Sequence, residues 1–495
     1  MADEPKNKPT PDTAQPADAP AKPLELPDEP PIQRRHELRL GDTTLAYYTT
    51  TGTLLLKSEA GETEAQIFFV AYTLNAPEGD TQRPLIFMFN GGPGAASIYL
   101  HMGAFSPRRA RLNDDGTIPP PPYQLLDNQY TLLQHADLVY VDPVGTGFSR
   151  AAKEELHKKF WSVKGDIEAL SEFIRLYLNR YGRMTSPLFV CGESYGTFRA
   201  AGLADHLLTK NIALSGLILV SAILNFQASE YAKGNDLPYA LLLPTFTAAA
   251  WYHHKLPADL QDRPLREAMA EAERWAVNDY TLALMRGDLL SEEERAQVIE
   301  RLARYTGLEP RYLERSNLRI RYSRFIKELL RDQRRSVSAY DARLTNIDEL
   351  AIGEEPDFDV ILSVLGSPYT MLLNDYVRKE LGYTSDREYH TLSMTVNQAW
   401  DFGKPLDGWP DTSAALRSAM SKNAYMRVFV ARGIYDFATS YFAIEYTMNH
   451  LGLDPSLRGN IRYGDYESGH MIYIDLASLA RLKQDVADFL LATPA

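Results

Sequence analysis

The fold is decided by the stretch Pro187-Leu-Phe-Val-Cys-Gly-Glu-Ser-Tyr-Gly196. Its first half is a short apolar run typical of a buried strand, and residues 198–208 after it have the pattern of a helix. Between them lies Gly-x-Ser-x-Gly, which in this context predicts a tight strand-to-helix turn that lifts a serine hydroxyl above a sheet. A side chain two positions before or after Ser194 would clash in such a turn, so both glycines fit. The stretch therefore predicts that Ser194 is a nucleophile.

Other short apolar runs predict further strands that are buried on both faces. They are residues 83–89, 137–141, 214–220 and 426–431, besides the run at 187–191. Helical patterns separate several of them, as at residues 161–181, where the apolar side chains share one face. Strands that alternate with helices imply a largely parallel sheet covered on both sides. Together with the serine turn, this predicts an α/β-hydrolase fold with an inserted helical lid.

Composition and pattern divide the chain into four parts. Residues 1–35 form a Pro/Ala-rich tail with almost no large apolar side chains, which predicts disorder. Residues 36–224 form the first part of the hydrolase core, and their alternating pattern at 44–75 suits antiparallel strands. Residues 225–424 are mainly helical and predict the lid, while residues 425–495 complete the core.

The overall charge and the apolar content narrow the classes of partner. A formal net charge of −13 argues against nucleic acid or an anionic membrane surface, because both carry negative charge. No window approaches the roughly 18 consecutive apolar residues that a membrane span needs. Cys191 is the single cysteine, so an internal disulfide is excluded. The oligomeric state stays open.

The tail also bears on localisation. Tails of this composition often follow a secretory signal, although no charged and then apolar segment precedes this one in the sequence. We expect a periplasmic or secreted protein, with the cytoplasm as the alternative.

A serine hydroxyl becomes a good nucleophile only when a base removes its proton, and an acid must orient that base. In α/β-hydrolases the chain order is serine, then aspartate or glutamate, then histidine. Asp436 follows the predicted strand at 426–431 after a turn at Gly433, and His470 lies between a strand-like run and the terminal helical pattern at 478–490. Ser194, Asp436 and His470 are therefore the predicted catalytic triad.

A second glycine-rich segment, Phe89-Asn-Gly-Gly-Pro-Gly94, follows a predicted strand and should lie beside the serine turn. Its backbone N–H groups can approach a substrate oxygen closely. We assign the oxyanion hole to the N–H groups of Gly92 and of Tyr195, the residue after the nucleophile. The alternatives are a phosphate-binding loop or a plain turn, and the spacing matches neither G-x-G-x-x-G nor G-x-x-x-x-G-K, which argues against a nucleotide-binding loop. The remaining histidines lack carboxylate or cysteine neighbours at metal-ligand spacing, so neither a metal nor another cofactor is expected.

Four segments together resemble the serine carboxypeptidases. They are Asn90-Gly-Gly-Pro-Gly94, Asp142-Pro-Val-Gly-Thr-Gly-Phe-Ser149, Gly192-Glu-Ser-Tyr-Gly196 and Ser468-Gly-His470. Lid residues 341–343 and 368–378 are similar to those of bacterial members. The resemblance implies that Asn90, the Gly91 N–H and Glu193 hold the terminal carboxylate of a peptide. Beside that carboxylate, Glu193 must be protonated to donate a hydrogen bond.

The chain departs from the family pattern at three positions. Ala104 stands where the family has a second glutamate that pairs with the first, Met88 replaces a tryptophan, and Ala95 replaces a cysteine. An arginine could supply the missing partner by bidentate contact with the substrate carboxylate. The candidates are Arg108, Arg109, Arg319, Arg321 and Arg324.

The leading hypothesis is a serine carboxypeptidase that acts on peptides with a free C-terminus through an acyl-enzyme on Ser194. An esterase or acyltransferase with the same triad is the alternative within catalysis, and Ala104 favours it. A third hypothesis, outside catalysis, is a hydrolase-like binding protein that has lost its activity. All three triad candidates are present in the sequence, which argues against that last reading.

Overall fold

A ten-stranded mixed sheet lies at the centre of the molecule in the computed structural model, which describes residues 24, 26–75, 80–114, 116–403 and 408–492. Two short two-stranded ladders lie outside it. In chain order the strands are β1 (Ile32–Leu40), β2 (Thr43–Lys57), β3 (Thr63–Leu74), β4 (Leu85–Phe89), β5 (Arg108–Ala110), β6 (Leu125–Asp127), β7 (Asp137–Val141), β8 (Arg150–Ala151), β9 (Leu188–Ser194), β10 (Gly216–Ala222), β11 (Ser336–Val337), β12 (Thr345–Asn346), β13 (Arg427–Gly433) and β14 (Ile461–Tyr466).

The strand order places the serine turn in the middle of the sheet. Neighbouring strands follow the order β1-β2-β3-β7-β4-β9-β10-β13-β14, and β8 pairs with β3. The strands from β1 to β3 form an antiparallel meander, and β3 pairs antiparallel with β7. From β7 to β14 every pairing along this order is parallel. The predicted α/β-hydrolase sheet, mostly parallel, is confirmed.

Both faces of the parallel strands are buried, as their near-continuous apolar sequences predict. Side chains alternate between the faces, so Val190 packs in one cluster and Cys191 in another. Leu170 and Ala200, from two helices, complete the first cluster. Leu482, from the last helix, packs in the second. The sheet therefore has a helical layer on each side.

Sixteen α-helices accompany these strands in the described residues, besides shorter helical turns. They are α1 (Ile98–Leu100), α2 (His157–Phe160), α3 (Val163–Arg180), α4 (Tyr195–Thr209), α5 (Leu237–Tyr252), α6 (Ala258–Gln261), α7 (Leu265–Trp275), α8 (Thr281–Arg286), α9 (Glu292–Thr306), α10 (Pro310–Arg315), α11 (Tyr322–Glu328), α12 (Val360–Lys379), α13 (Met394–Ala399), α14 (Ser413–Lys422), α15 (Tyr441–Asn449) and α16 (Leu476–Ala492). Among these helices, none is long and apolar enough to cross a lipid bilayer.

The chain leaves the sheet after β10 and returns to it at β13. These two strands are parallel neighbours, and Gly216 lies opposite Arg427. The intervening chain holds α5 to α14 and the small ladder of β11 and β12. Many of its apolar side chains, such as Phe246 and Phe325, pack in a third cluster, which also includes Phe437 from the second part of the core. We refer to residues 225–424, the range predicted as a lid, as the insertion.

The N-terminal boundary differs from the prediction. Most of the tail predicted at residues 1–35 lies outside the described residues. However, β1 begins at Ile32 and pairs with β2 from that residue onward. Arg34 and Arg35, which the prediction placed in the tail, face solvent on an edge strand, where charge discourages pairing with other chains.

Candidate active site

Ser194 lies at the turn between β9 and α4. Its backbone has φ 58° and ψ −131°, a conformation that costs energy for a residue with a side chain. A Cβ at Gly192 would lie 2.1 Å from the carbonyl oxygen of Gly196, so a glycine is needed for the turn to close. Helix α4 begins at Tyr195, earlier than the helical pattern predicted at 198, because the turn leads directly into the helix. This is the geometry that the Gly-x-Ser-x-Gly sequence predicts.

The structure brings His470 and Asp436 into direct contact. His470 Nδ1 lies 2.8 Å from Asp436 Oδ2, and both side chains are buried. The amide groups of Ala438 and Thr439 donate hydrogen bonds to Asp436 Oδ1 at 2.8 and 3.0 Å. The Thr439 hydroxyl donates to Asp436 Oδ2 at 2.7 Å. Three donors thus fix a carboxylate that can hold the Nδ1 proton of His470 and leave Nε2 free to accept a proton.

Ser194 and His470 share the wall of one cavity of about 230 Å³. Asp436 and Tyr195 are buried behind it. The predicted site residues that line the cavity are Asn90, Gly91, Gly92, Glu193, Ser194 and His470. In the described part of the chain no hydrogen bond joins Ser194 to His470, and such contacts often tighten only when substrate binds.

The loop after β4 packs directly on the serine turn. A Cβ at Gly91 would lie 2.5 Å from the backbone nitrogen of Tyr195. The two segments that carry the predicted oxyanion-hole donors, Gly92 and Tyr195, are therefore in contact. The Leu100 amide donates to Asn90 Oδ1 at 3.0 Å, which leaves the side-chain NH₂ of Asn90 as a donor. Arg199, in α4, donates to the Asn90 carbonyl at 2.7 Å. The loop and the serine turn therefore form adjoining parts of the cavity wall.

Burial and charge shift the pKa values of the two ionisable groups beside Ser194. Burial disfavours the charged form of His470, but the adjacent Asp436 outweighs it and raises the pKa above the usual 6.5. Burial raises the pKa of Glu193 to about 7, although His470, Tyr473 and Asn90 partly offset the rise. Glu193 can therefore carry a proton near neutral pH. It would need that proton to donate a hydrogen bond to the terminal carboxylate of a peptide.

The backbone of His470 is held from two sides. Its N–H donates to the carbonyl of Tyr340 in the insertion, and its carbonyl accepts a hydrogen bond from the Ser221 hydroxyl at 2.6 Å. Ser221 itself has a φ of 50° at the end of β10. The Tyr340 ring stands edge-on to the imidazole, with centroids 5.1 Å apart, and lines the same cavity.

The sequence model that describes serine carboxypeptidases matches residues 49–463, well over half of the chain. The match includes Ser194 and Asp436. This chain belongs to the serine carboxypeptidase family. The mostly parallel hydrolase sheet and the serine turn are consistent with that membership.

Curated relatives of this serine carboxypeptidase family member cover only part of its length. Serine carboxypeptidase-like 2 from Arabidopsis thaliana is 28% identical over 179 residues, which is 36% of this chain and 37% of the relative. Serine carboxypeptidase-like 13 from the same plant is 27% identical over 184 residues, 36% and 40% of the two chains. The chain thus spans well under half the length of these curated relatives.

A solved structure shares the fold over a greater length. The crystal structure of Kex1(delta)p, a prohormone-processing carboxypeptidase from Saccharomyces cerevisiae, superposes with a TM-score of 0.54. The similarity covers 89% of this chain and 91% of the yeast chain, at 16% sequence identity. This similarity supports the common architecture of the family.

The arginines suggested as partners for a substrate carboxylate do not line the cavity, and several are already paired elsewhere. Arg319 makes a bidentate contact with Asp236 at 2.6 and 2.7 Å. Arg324 contacts Glu354 at 2.8 Å. The other three candidates, which also lie outside the cavity wall, are Arg108, Arg109 and Arg321. The hypothesis that one of these five arginines replaces the family's second glutamate is therefore wrong for this structure.

Sequence reasoning missed residues that support the site without carrying a motif, namely Ser221, Tyr340, Thr439 and Tyr473. It noted Asp341 and Arg343 only as part of a segment similar to the family and assigned them no role at the site. Thr439 could have been found, because an aspartate side chain commonly accepts hydrogen bonds from the chain just after it, and Thr439 follows Asp436 by three residues. The others reach the site only through tertiary folding, and no local pattern marks them.

Proposed function

We propose that this protein is a serine carboxypeptidase that removes the last residue of a peptide through an acyl-enzyme on Ser194. The observation that carries the proposal is the shared cavity. A nucleophile and base, Ser194 and His470, line it together with the carboxylate-recognising set of Asn90, Gly91 and Glu193. A substrate held by its terminal carboxylate would place its last peptide bond beside the serine.

In the proposed reaction, Ser194 Oγ attacks the carbonyl carbon of the last peptide bond while His470 Nε2 accepts the hydroxyl proton. The N–H groups of Gly92 and Tyr195 stabilise the negative charge on the carbonyl oxygen. When the C–N bond breaks, His470 donates that proton to the leaving amino acid. Water then attacks the acyl-enzyme with His470 as base, which releases the shortened peptide and restores Ser194. The route uses no cofactor.

Recognition of the terminal carboxylate rests on three donors. The Asn90 side-chain NH₂, the Gly91 N–H and the protonated Glu193 carboxyl would each donate a hydrogen bond to it. The raised pKa of Glu193, about 7 as a result of its burial, supports this role near neutral pH. Above that pH, ionised Glu193 would repel the substrate.

An esterase or acyltransferase is the second candidate. The same triad serves these reactions, and Ala104 at the position of the family's second glutamate favours a substrate without a free carboxylate. An inactive binding protein is less well supported, because Asp436 and His470 are in hydrogen-bond contact at 2.8 Å.

The test compares release of the C-terminal amino acid from a blocked dipeptide and from its C-terminal amide, at about pH 4 to 8. Wild type and Ser194→Ala are assayed together with a simple ester. Cleavage of the free-carboxylate peptide alone, lost in Ser194→Ala, would support the carboxypeptidase. Cleavage of the ester alone would support the esterase. Absence of Ser194 labelling by diisopropyl fluorophosphate would support the inactive protein.

We further propose a bacterial-type family member that works in the periplasm or outside the cell, on peptides and not on nucleic acids or membranes. Insertion residues 341–343 and 368–378 favour the bacterial branch, and the net charge of −13 disfavours anionic partners. Fractionation of cells that express the full-length protein tests the location. Recovery with the cytoplasmic fraction would support the alternative.

A further inference from the structure

A tyrosine from another part of the chain packs against the backbone next to Ala104. Ala104 is fully buried in the short helical turn His101–Phe105, which packs against the turn Ile472–Ile474. A Cβ at Gly103 would lie 2.5 Å from Tyr473 Cε2 and 2.9 Å from the Tyr369 hydroxyl. The ring of Tyr473 therefore lies against the backbone next to position 104. A glycine at 103 makes this close approach possible.

Tyr473 also faces the carboxyl group that the family pairs with its second glutamate. It follows His470 by three residues, its ring is buried, and its hydroxyl approaches the Glu193 side chain. In the described residues, neither the Tyr473 hydroxyl nor Glu193 Oε2 has a partner at ordinary hydrogen-bond distances and angles. Buried polar atoms almost always acquire a partner. The Tyr473 phenol and the Glu193 carboxyl lie near each other, and a hydrogen bond between them would supply a partner to both side chains.

We propose that Tyr473 is a positioning residue for Glu193, and that its phenol O–H donates to the Glu193 carboxyl in place of the family's second glutamate. This inference rests on the proposed function, in which Glu193 binds the terminal carboxylate of the substrate. Tyr473 would touch Glu193 and not the substrate. Its role is to orient the carboxyl so that the other oxygen faces the cavity.

A phenol differs from a carboxyl as a partner in its response to pH. Two adjacent carboxyls repel when both are ionised, so they must share a proton. Burial raises the pKa of Tyr473 well above the ordinary value, so this hydroxyl remains a donor through the neutral range. It can donate to Glu193 whether or not Glu193 is protonated. The hydrogen bond favours the ionised form and opposes the rise in pKa that burial causes.

Other groups around Glu193 act on the same titration. His470 and Asn90 lower the pKa of Glu193, and Asp436 raises it. Tyr99, Tyr369 and Cys191 also lie near enough to Glu193 to feel its charge, and each is buried and uncharged near neutral pH because burial raises its pKa. Tyr473→Phe retains all three residues of the triad.

The first measurement is the titration of Glu193 in the free protein. Infrared difference spectra at about pH 5 to 9 follow the protonated carboxyl band, which Glu193→Gln assigns. Tyr473→Phe removes a donor to the ionised form, so we expect the midpoint to rise by roughly half a unit to one unit. Replacement of Tyr473 by 3-fluorotyrosine keeps the ring and strengthens the donor, so the midpoint should fall.

The second measurement is the KM of a blocked dipeptide with a free carboxylate. Loss of one orienting hydrogen bond in Tyr473→Phe should raise this KM about fivefold at the optimal pH. The alkaline limit should move to higher pH. The kcat for a simple ester should stay near the wild-type value. A purely structural role would instead lower the unfolding temperature and the kcat for every substrate, without moving the pH limit.

Tyr305→Phe is the matched control, because the Tyr305 hydroxyl donates to the Glu271 carboxylate at 3.0 Å within the insertion. It should move neither the Glu193 midpoint nor the KM. If Tyr473→Phe and the fluorotyrosine variant both leave the Glu193 midpoint unchanged, the pairing is wrong even when the wild type cleaves peptides. If the midpoints shift but the wild type cleaves no peptide, the pairing stands and the carboxypeptidase proposal fails.

Discussion

The backbone N–H of Gly469 donates a hydrogen bond to the carboxylate of Asp341, 3.1 Å away and 128 residues earlier in the chain. Arg343 holds that carboxylate through contacts of 2.7 and 2.9 Å. A Cβ at position 469 would lie 2.1 Å from the carbonyl oxygen of Tyr340. The loop that carries His470 is therefore packed tightly against the insertion. The position of the proposed base depends on a segment outside the sheet.

We expect Asp341→Asn to slow the chemistry more than it weakens substrate binding. An amide cannot hold both Gly469 and Arg343 as the carboxylate does, so His470 should shift relative to Ser194. A small displacement of a reacting group costs up to roughly 100-fold in rate. We predict a loss of kcat of about 10- to 100-fold with little change in KM. The rate of labelling by diisopropyl fluorophosphate, which needs no peptide, should fall in parallel.

Asp348→Asn is the control for the Asp341 variant. Asp348 contacts Lys327 at 2.6 Å in another buried ion pair of the insertion. Its loss should lower the unfolding temperature without changing the labelling rate. If Asp341→Asn labels as fast as the wild type, the insertion does not position His470.

Glu193→Gln should remove the alkaline limit on peptide binding. In the wild type, burial raises the pKa of Glu193 to about 7, so its protonated fraction falls as the pH rises through 7. KM for a peptide with a free carboxylate should therefore increase above that pH. Glutamine is neutral at every pH and keeps an N–H donor. KM measured at about pH 5 to 9 should then stay flat in the variant. A wild-type KM that is already flat would contradict the role of Glu193.

Asp436→Asn should lower kcat by roughly 10⁴-fold, because His470 then loses the acceptor that fixes its tautomer. His470 acts as a base only when it is neutral. Burial lowers its pKa, but Asp436 outweighs burial and raises it, so kcat in the wild type falls with decreasing pH through that raised value. Without the carboxylate, the acidic limit of the residual kcat should move to lower pH. A pH–kcat profile of both proteins checks the direction.

Local sequence patterns predicted the sheet because its strands are buried on both faces and read as continuous apolar runs. Strand β7, Asp137–Val141, coincides with the predicted run. By contrast, β1 was assigned to the tail up to residue 35, because an edge strand with outward charges has little apolar signal. Helix α4 starts earlier than predicted because the serine turn, and not periodicity, determines where it begins.

Only those site residues could be predicted whose type and position in the chain are themselves the signature of the chemistry. Ser194, Asp436 and His470 follow from the Gly-x-Ser-x-Gly sequence, the order of the triad and the ends of strands. Tyr473 and Asp341 do not, because their roles arise from packing between segments far apart in sequence. The arginine hypothesis was wrong for a related reason. Sequence gives the charge of an arginine, but neither its distance from the cavity nor the groups that already contact it.

The buried pair of Asp166 and Arg199 gives a test that separates stability from site geometry. Arg199 Nε lies 2.6 Å from Asp166 Oδ2, and both side chains are almost fully buried. Arg199 also donates to the carbonyl of Asn90, in the glycine-rich loop after β4 that we call the oxyanion loop. Asp166→Leu leaves the guanidinium buried without its carboxylate. We expect it to lower the free energy of unfolding in urea by about 3–5 kcal/mol.

The double variant Asp166→Leu/Arg199→Met removes both charges and fills the space with apolar atoms. Replacing a buried ion pair in this way is often neutral for stability, so most of the lost unfolding free energy should return. Activity should not return, because Asn90 still lacks the donor that holds its carbonyl. We predict a kcat/KM for peptide that stays about tenfold or more below the wild type. If activity recovers together with stability, then Arg199 serves the fold alone and the oxyanion loop keeps its position without it.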